Sequence, residues 1–454
     1  MITGRDRWHR WGLAAILLGN AVGFAGVDPP ARALTALLIL ALVLDMKDAV
    51  PSLPRPVRLA ALGLAATVVL QLVPLPAAVR GLLQPGLADV ISPGWSPLSV
   101  APWATIETAA IWVLAAGITL VAARMARTRS GLPVLLWIVA LTGGLLALLG
   151  LVSEAGLPDR VLLLRPNVQG GSPYGPFVNE NHFAVAMELT IPAAAALLAV
   201  AARGLGAVGE ARRRALAWTL GAAVLVVLGL AALLRCHSRG GILAMGIAAV
   251  VTFPLWRRRR PGRRRLWTAV VVLILVGGTV LAWTRLPALA EDFKQLLVIR
   301  GVEGNDRWDL WRSTLRLWTR APALGTGLGT YRHVIGLDAP PTGTAVLEQA
   351  HNDWLEWLAT TGAAGTAALL LGVGWLAWSL RPVRLRSMRF ERRYALAAAA
   401  MALLAAGLHE TLGFALQTPL DRYLAAVWIG LVAGLETRRH HEPPDGRLPE
   451  EADR

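Results

Sequence analysis

The chain has 454 residues, 55% of them hydrophobic and 16% charged, with a formal net charge of +16. That is too apolar for a water-soluble domain, where about 45–50% apolar and ~25% charged residues are usual, and far too apolar for intrinsic disorder. A single cysteine, Cys236, excludes an intramolecular disulfide framework and a cysteine-based zinc site.

In chain order, apolar stretches near the ~20 residues that cross a bilayer are centred on 11–27, 31–46, 57–74, 103–123, 132–152, 182–202, 215–234, 240–256, 266–284, 353–380, 394–412 and 420–436. The fold class is therefore an all-α polytopic membrane protein of about twelve transmembrane helices. The connections leave no room for a soluble domain of the usual ~100–150 residues. A basic start precedes the first stretch, which reads as an uncleaved helix rather than a signal peptide. Lys and Arg gather in alternate connections: Arg5, Arg7 and Arg10; Lys47, Arg55 and Arg58; Arg124, Arg127 and Arg129; Arg203 with Arg212, Arg213 and Arg214; the run 257–265; the 381–393 connection; and the tail. By the positive-inside rule both termini are cytoplasmic. Those arginines read as topology signals at a lipid bilayer, with no nucleic-acid partner. The layout is 1–152 for the first five helices, 153–384 for a core of helices six to ten with a long periplasmic loop at 285–350, 385–436 for the last two helices, and 437–454 for a disordered cytoplasmic tail.

Three spans begin on the outward side with polar clusters: Asn179-Glu180-Asn181-His182, then His237-Ser238-Arg239-Gly240-Gly241, and Glu348-Gln349-Ala350-His351-Asn352-Asp353. Helix N-termini attract anions through unpaired N–H groups and the dipole. Asn181, Ser238 and Asp353 are also ordinary N-caps, and His182, His237 and His333 read equally as satisfied interfacial residues. Glu188, two turns into the sixth span, is costly at that depth and points to a bundle interior or a wet cavity. Glu356 and the pair His409-Glu410 raise the same question.

The 285–350 loop is too long for a plain connector. Asn305-Asp306 can open an amphipathic helix through about 320, with Trp308, Trp311, Leu315 and Trp318 as an apolar stripe turned to the bilayer. Arg312, Arg316 and Arg320 fall on the flank away from it, whereas Arg307 stands on the stripe's edge, where a solvated arginine is not expected. Gly325-x-Gly327-x-Gly329 lacks the strand and the lysine of a nucleotide loop and reads as a bend.

Taken in order, Phe177-Val178-Asn179-Glu180-Asn181-His182-Phe183, Ser238-Arg239-Gly240-Gly241, Arg307 with Trp311, Pro322 with the glycine loop, and Ala350-His351-Asn352-Asp353 resemble the O-antigen ligase and polymerase superfamily of bacterial envelope glycosyltransferases. Leu243, following Arg239, and Gly362, following His351, match ligase-type spacings. The resemblance covers about residues 170–370. It implies a C-type glycosyltransferase-like membrane fold, a bacterial inner-membrane location and an active site on the periplasmic face. The donor would be an undecaprenyl-pyrophosphate-linked glycan and the acceptor lipid A–core or a glycan chain, without metal or cofactor. His351, Arg239 and Arg307 would be catalytic, the histidine as base and the arginines on the pyrophosphate. Asn179, Asn181, His182, Glu188, Ser238, Asn352 and Glu356 complete the substrate-binding set expected of the site. The alternatives are a polymerase of the same superfamily, a twelve-span transporter and a structural envelope subunit. Transporters commonly show internal repeats and midplane sites, whereas here polar residues collect at one face.

Overall fold

The computed structural model describes residues 4–46, 52–87, 94–157, 160–167, 172–256, 307–339, 347–386 and 388–439. The ninth predicted span, the arginine run 257–265, residues 285–306 of the long loop and the tail from 440 lie outside them. The described α-helices of seven residues or more are α1 (Gly4–Val22), α2 (Pro29–Asp45), α3 (Arg55–Leu72), α4 (Ala77–Leu83), α5 (Pro102–Arg127), α6 (Gly131–Gly156), α7 (Glu180–Ala201), α8 (Gly209–Arg235), α9 (Arg239–Trp256), α10 (Arg307–Arg320), α11 (Asp353–Ser379), α12 (Phe390–His409) and α13 (Pro419–Arg439). Seven of them, α3, α5 to α9 and α11, are long and apolar enough to cross a membrane. The other predicted spans within the described residues, α1, α2, α12 and α13, are helices of 17–21 residues. The protein is a mostly helical, multi-helix membrane protein.

Small residues set the packing. α7, rich in alanine, is the axis of the bundle, with Ala184, Ala186, Ala193 and Ala196 fully buried. Gly430 and Gly434, four apart on α13, lie so close to α5 that a Cβ on either would overlap the backbone around Thr119 and Ala123. Close approach of this kind is how helices gain packing energy where lipid removes the hydrophobic drive.

Two ends of the bundle differ in character. At one, Arg393 Nε donates to Leu255 O at 3.0 Å and Arg384 pairs with Glu436 at 3.0 Å. At the other, Arg165 makes a two-pronged bond with Asp28 at 2.8 and 2.6 Å, and Arg235 does the same with Glu154 at 2.8 and 2.9 Å. The starts of α7, α9 and α11 share this second end.

α11 is not a continuous helix. Gly362 sits at φ 65°, ψ −166°, outside the helical region. The glycine loop before it is wedged into the break. Thr326 N donates to Ala359 O at 3.2 Å and Gly327 N to Thr360 O at 3.0 Å, while Ala363 N and Ala364 N donate to Pro322 O and Ala323 O at 2.9 and 3.1 Å. The loop thus satisfies carbonyls and amides that the break strands, as non-helical backbone at such a place requires. The sequence reading of a plain bend is corrected: the glycines are there for contact. A Cβ on Gly362 would stand 2.5 Å from Gly325 N and 2.6 Å from Ala323 O. Gln71 of α3 holds the wedge from the far side, donating to Leu324 O at 2.6 Å and Thr360 O at 2.9 Å and accepting from Leu328 N at 2.9 Å.

Candidate functional site

His351 is fixed from three directions. The indole N–H of Trp311, on α10, donates to Ala350 O at 3.2 Å. Ala350 N donates to Glu356 Oε2 at 2.9 Å, and Asp353 N donates to Glu410 O and Gly413 O, each at 3.1 Å. Between these anchors His351 itself takes φ 49°, a left-handed conformation that costs a non-glycine residue energy and recurs at functional sites. Its half-buried ring stands perpendicular to Phe414 at 4.9 Å between centroids. Burial, and after it the neighbouring Arg307 charge, hold the imidazole below its ordinary pKa. Two carboxylates lie near His351 in sequence, and neither orients its ring. Instead Glu348 is exposed, and Glu356 is spent on the Ala350 amide and on Gln417 Nε2 at 2.9 Å.

Arg307 opens α10 on the same side. Its guanidinium makes one long bond among the described residues, NH1 to Leu412 O at 3.4 Å, and is otherwise exposed. The rest of α10 keeps part of the expected outward stripe. Its buried face is Leu310, Ser313, Thr314 and Leu317, while Trp308 and Leu315 are exposed and Trp318 donates to Pro322 O at 3.2 Å. Arg320 is no free flank residue. It grips Asp338 through Nε at 2.7 Å and NH2 at 3.0 Å and reaches Gly86 O at 2.9 Å.

The α7 and α9 clusters join through their caps. Asn179 Oδ1 accepts from Asn181 N at 2.8 Å, Ser238 Oγ donates to Asn181 Oδ1 at 2.7 Å, and Gly241 N donates to Ser238 Oγ at 3.1 Å. Asn352 caps α11 by accepting from Leu355 N at 3.0 Å. These four side chains are therefore engaged with protein at helix starts. Arg239, half-buried, begins α9 beside Gly240. His182 bonds Thr418 Oγ1 through Nδ1 at 2.9 Å, leaves Nε2 without a partner among the described residues, and faces Phe414 edge-on at 4.7 Å. Phe414 thus separates His182 from His351. Glu188 is sealed, its Oε1 2.8 Å from His409 Nδ1. It faces the interior, as its depth implied. His333 lies apart, against Trp103 and Arg332.

The loop between α12 and α13 brings residues that the sequence reading passed over. Phe414 separates two histidines, Gln417 ties Asp353 to Glu356, and Thr418 orients His182. Behind them Asp421 is fully buried with both oxygens unpartnered among the described residues, and Arg422 reaches Leu416 O at 2.8 Å. Ionisable residues inside a predicted span were the signal for that pair. Among the described residues no group of three or more His, Cys, Asp or Glu is arranged to hold a metal ion.

Residues 224–370 match a family model described as O-antigen ligase. The resemblance found in the sequence is borne out over that stretch, roughly a third of the chain, which contains Arg239, Arg307 and His351. No curated protein matches the chain.

Proposed function

On that match and that geometry, we propose that the protein is a membrane glycosyltransferase of O-antigen ligase type, moving a glycan from undecaprenyl pyrophosphate to an acceptor hydroxyl at the periplasmic face of the bacterial inner membrane. One observation carries the reading: within the matched stretch, Arg307, which makes one long bond among the described residues, joins burial in holding the strained His351 below its ordinary pKa. Glycosyl transfer from a pyrophosphate ester needs exactly two services. The departing pyrophosphate accumulates charge, and arginine forks are permanently charged donors for it; Arg307 and Arg239 fill that role. The attacking hydroxyl must lose a proton, and a neutral imidazole near physiological pH accepts it; His351 fills that one. With base and leaving group on opposite sides of the anomeric carbon, attack is in line and inverts the centre.

The acceptor distinguishes ligase from polymerase, and the two ligase-type spacings ending at Leu243 and Gly362 favour the ligase. Deleting the gene and analysing the envelope glycan tests this. Loss of long chains from lipid A with carrier-linked polymer retained is the expected result. Accumulation of single carrier-linked repeats would assign a polymerase, and an unchanged glycan would reject both.

Orientation has its own test. Cys236 is unsuitable as a label site, because it is fully buried and burial pushes its thiol up to about 12. His237 next to it is exposed. His237→Cys should react with an impermeant maleimide from the periplasmic side. Reaction only from the cytoplasmic side would invert the topology.

A further inference from the structure

A general base works best when a further group fixes its ring, and Glu348 and Glu356 do not do so for His351. Phe414 meets that ring instead, perpendicular to it with centroids 4.9 Å apart, the edge-to-face geometry that ring quadrupoles favour. The phenyl is itself pinned. His182 stands at 87° to it with centroids 4.7 Å apart, and Thr418 Oγ1, 2.9 Å from Nδ1, holds that second imidazole. The backbone about Phe414 is tied to the start of α11, next to His351. Gly413 O accepts from Asp353 N at 3.1 Å, and Gln417 Nε2 donates to Asp353 Oδ1 at 3.0 Å and Glu356 Oε1 at 2.9 Å. Ala415 N donates to Glu410 Oε2 at 3.0 Å and anchors the same loop to the end of α12. Phenyl and imidazole are therefore held in one frame. Phe414 is half-buried and, among the described residues, joins neither apolar cluster of the core. A residue kept only to fill apolar space would pack there, not against two histidines.

We propose that Phe414 is a positioning residue for the transfer reaction: it holds the His351 imidazole at the angle from which a ring nitrogen takes the acceptor's proton. The left-handed backbone at His351, φ 49°, fixes where the side chain starts, and Phe414 fixes which way the ring turns. In this role Phe414 touches no substrate and acts through His351 alone. It lies beyond the matched residues 224–370, so the loop between α12 and α13 completes a base that the matched stretch supplies. The inference rests on the glycosyl-transfer reading and adds to it a residue outside the family match.

The test uses the full-length protein in detergent with a lipid-linked donor, turnover being counted per folded molecule. Phe414→Leu keeps apolar bulk and removes the ring. It should lower kcat about ten- to a hundredfold, the scale of loss when a reacting group is displaced by about an ångström, and leave the donor KM within a few-fold. Phe414→Tyr keeps the ring and should hold kcat within a few-fold of wild type. Should Phe414→Leu fail to fold, Phe414→Met carries the same expectation, since its flexible side chain fills the space without a ring. A double variant supplies the sharpest arm. Adding Phe414→Leu to His351→Ala should cost no further turnover, the non-additivity of residues that work as a unit. A full further loss in the double variant would overturn the positioning role. So would wild-type kcat in Phe414→Leu or Phe414→Met, or a loss in Phe414→Tyr as large as in Phe414→Leu. His351→Ala alone separates the two failures. If it loses transfer and the Phe414 variants keep theirs, only the positioning role falls; if it too keeps transfer, the base assignment of the glycosyl-transfer reading falls. A wild-type protein that transfers nothing from the donor would reject that reading itself.

Discussion

The two ends of α10 carry an arginine each and use it in opposite ways. At the last turn, Arg320 commits its guanidinium to both oxygens of Asp338 and to the carbonyl of Gly86, on the turn after α4. At the first, Arg307 makes a single 3.4 Å bond among the described residues and stays exposed. The same helix therefore has an end locked into the frame and an end with donors to spare. A spent guanidinium holds protein together, and an unspent one beside a half-buried histidine is placed for a ligand. Charge alone does not separate the two; the count of satisfied donors does.

The sharpest test of this contrast is His351, whose pKa the Arg307 charge helps to lower. His351→Ala should lower transfer about 10²–10⁴-fold, the typical loss with a general base, with expression and thermal stability near wild type. Turnover within a few-fold of normal would remove His351 from the chemistry. Next, Arg307→Ala should cost about 10²–10³-fold, the scale for one preorganised donor at a developing charge, with Lys restoring only part of it. Arg320→Ala should behave otherwise. Its loss is in stability, on the order of 1–2 kcal/mol for a partly exposed, two-pronged pair, read as a lower Tm with turnover per folded molecule retained. If both variants damaged the same quantity, the contrast would be void. The smallest effect is a pH shift. Burial and the Arg307 charge favour neutral His351, so the acid limb of kcat/KM should lie below the ordinary imidazole value of about 6.5. Arg307→Gln removes the cationic neighbour and should move that limb upward, measured on the residual activity. A downward move would contradict the stated cause.

The locked frame has a further test. Gly362→Ala puts a side chain at φ 65° and drives a Cβ against Gly325 N. It should cost more than the ~1 kcal/mol by which Ala usually exceeds Gly in the other direction, seen as poor expression or a lowered Tm.

Much of the frame was legible from the chain alone, because apolar runs and arginine placement need only local residues. The α10 helix, the depth of Glu188 and the odd position of Arg307 could be read the same way. The break at Gly362 could not. Residues 353–380 keep a helical pattern through it, and its cause is a loop some 36 positions earlier. Arg320 was misjudged because its partner Asp338 lies beyond the helix, outside the reach of a helical wheel. The Glu188–His409 pair spans 221 positions, so the sequence shows two costly residues without showing that each answers the other. α4, bounded by prolines, is too short for its periodicity to stand out.

The amide of Gln71 has a consequence for how the molecule comes into being. Its two donated bonds go to carbonyls 253 and 289 residues later in the chain. Synthesis delivers the acceptor Thr360 only after α3 and the helices that follow it have left the ribosome. Until then the Gln71 side chain waits without these partners, and the wedge that breaks α11 has no counterpart to lean on. Closure of such distant pairs is the slow part of folding. The early helices therefore serve as a mould set in advance for a late insertion. A chain stopped before residue 360 leaves that mould unfilled.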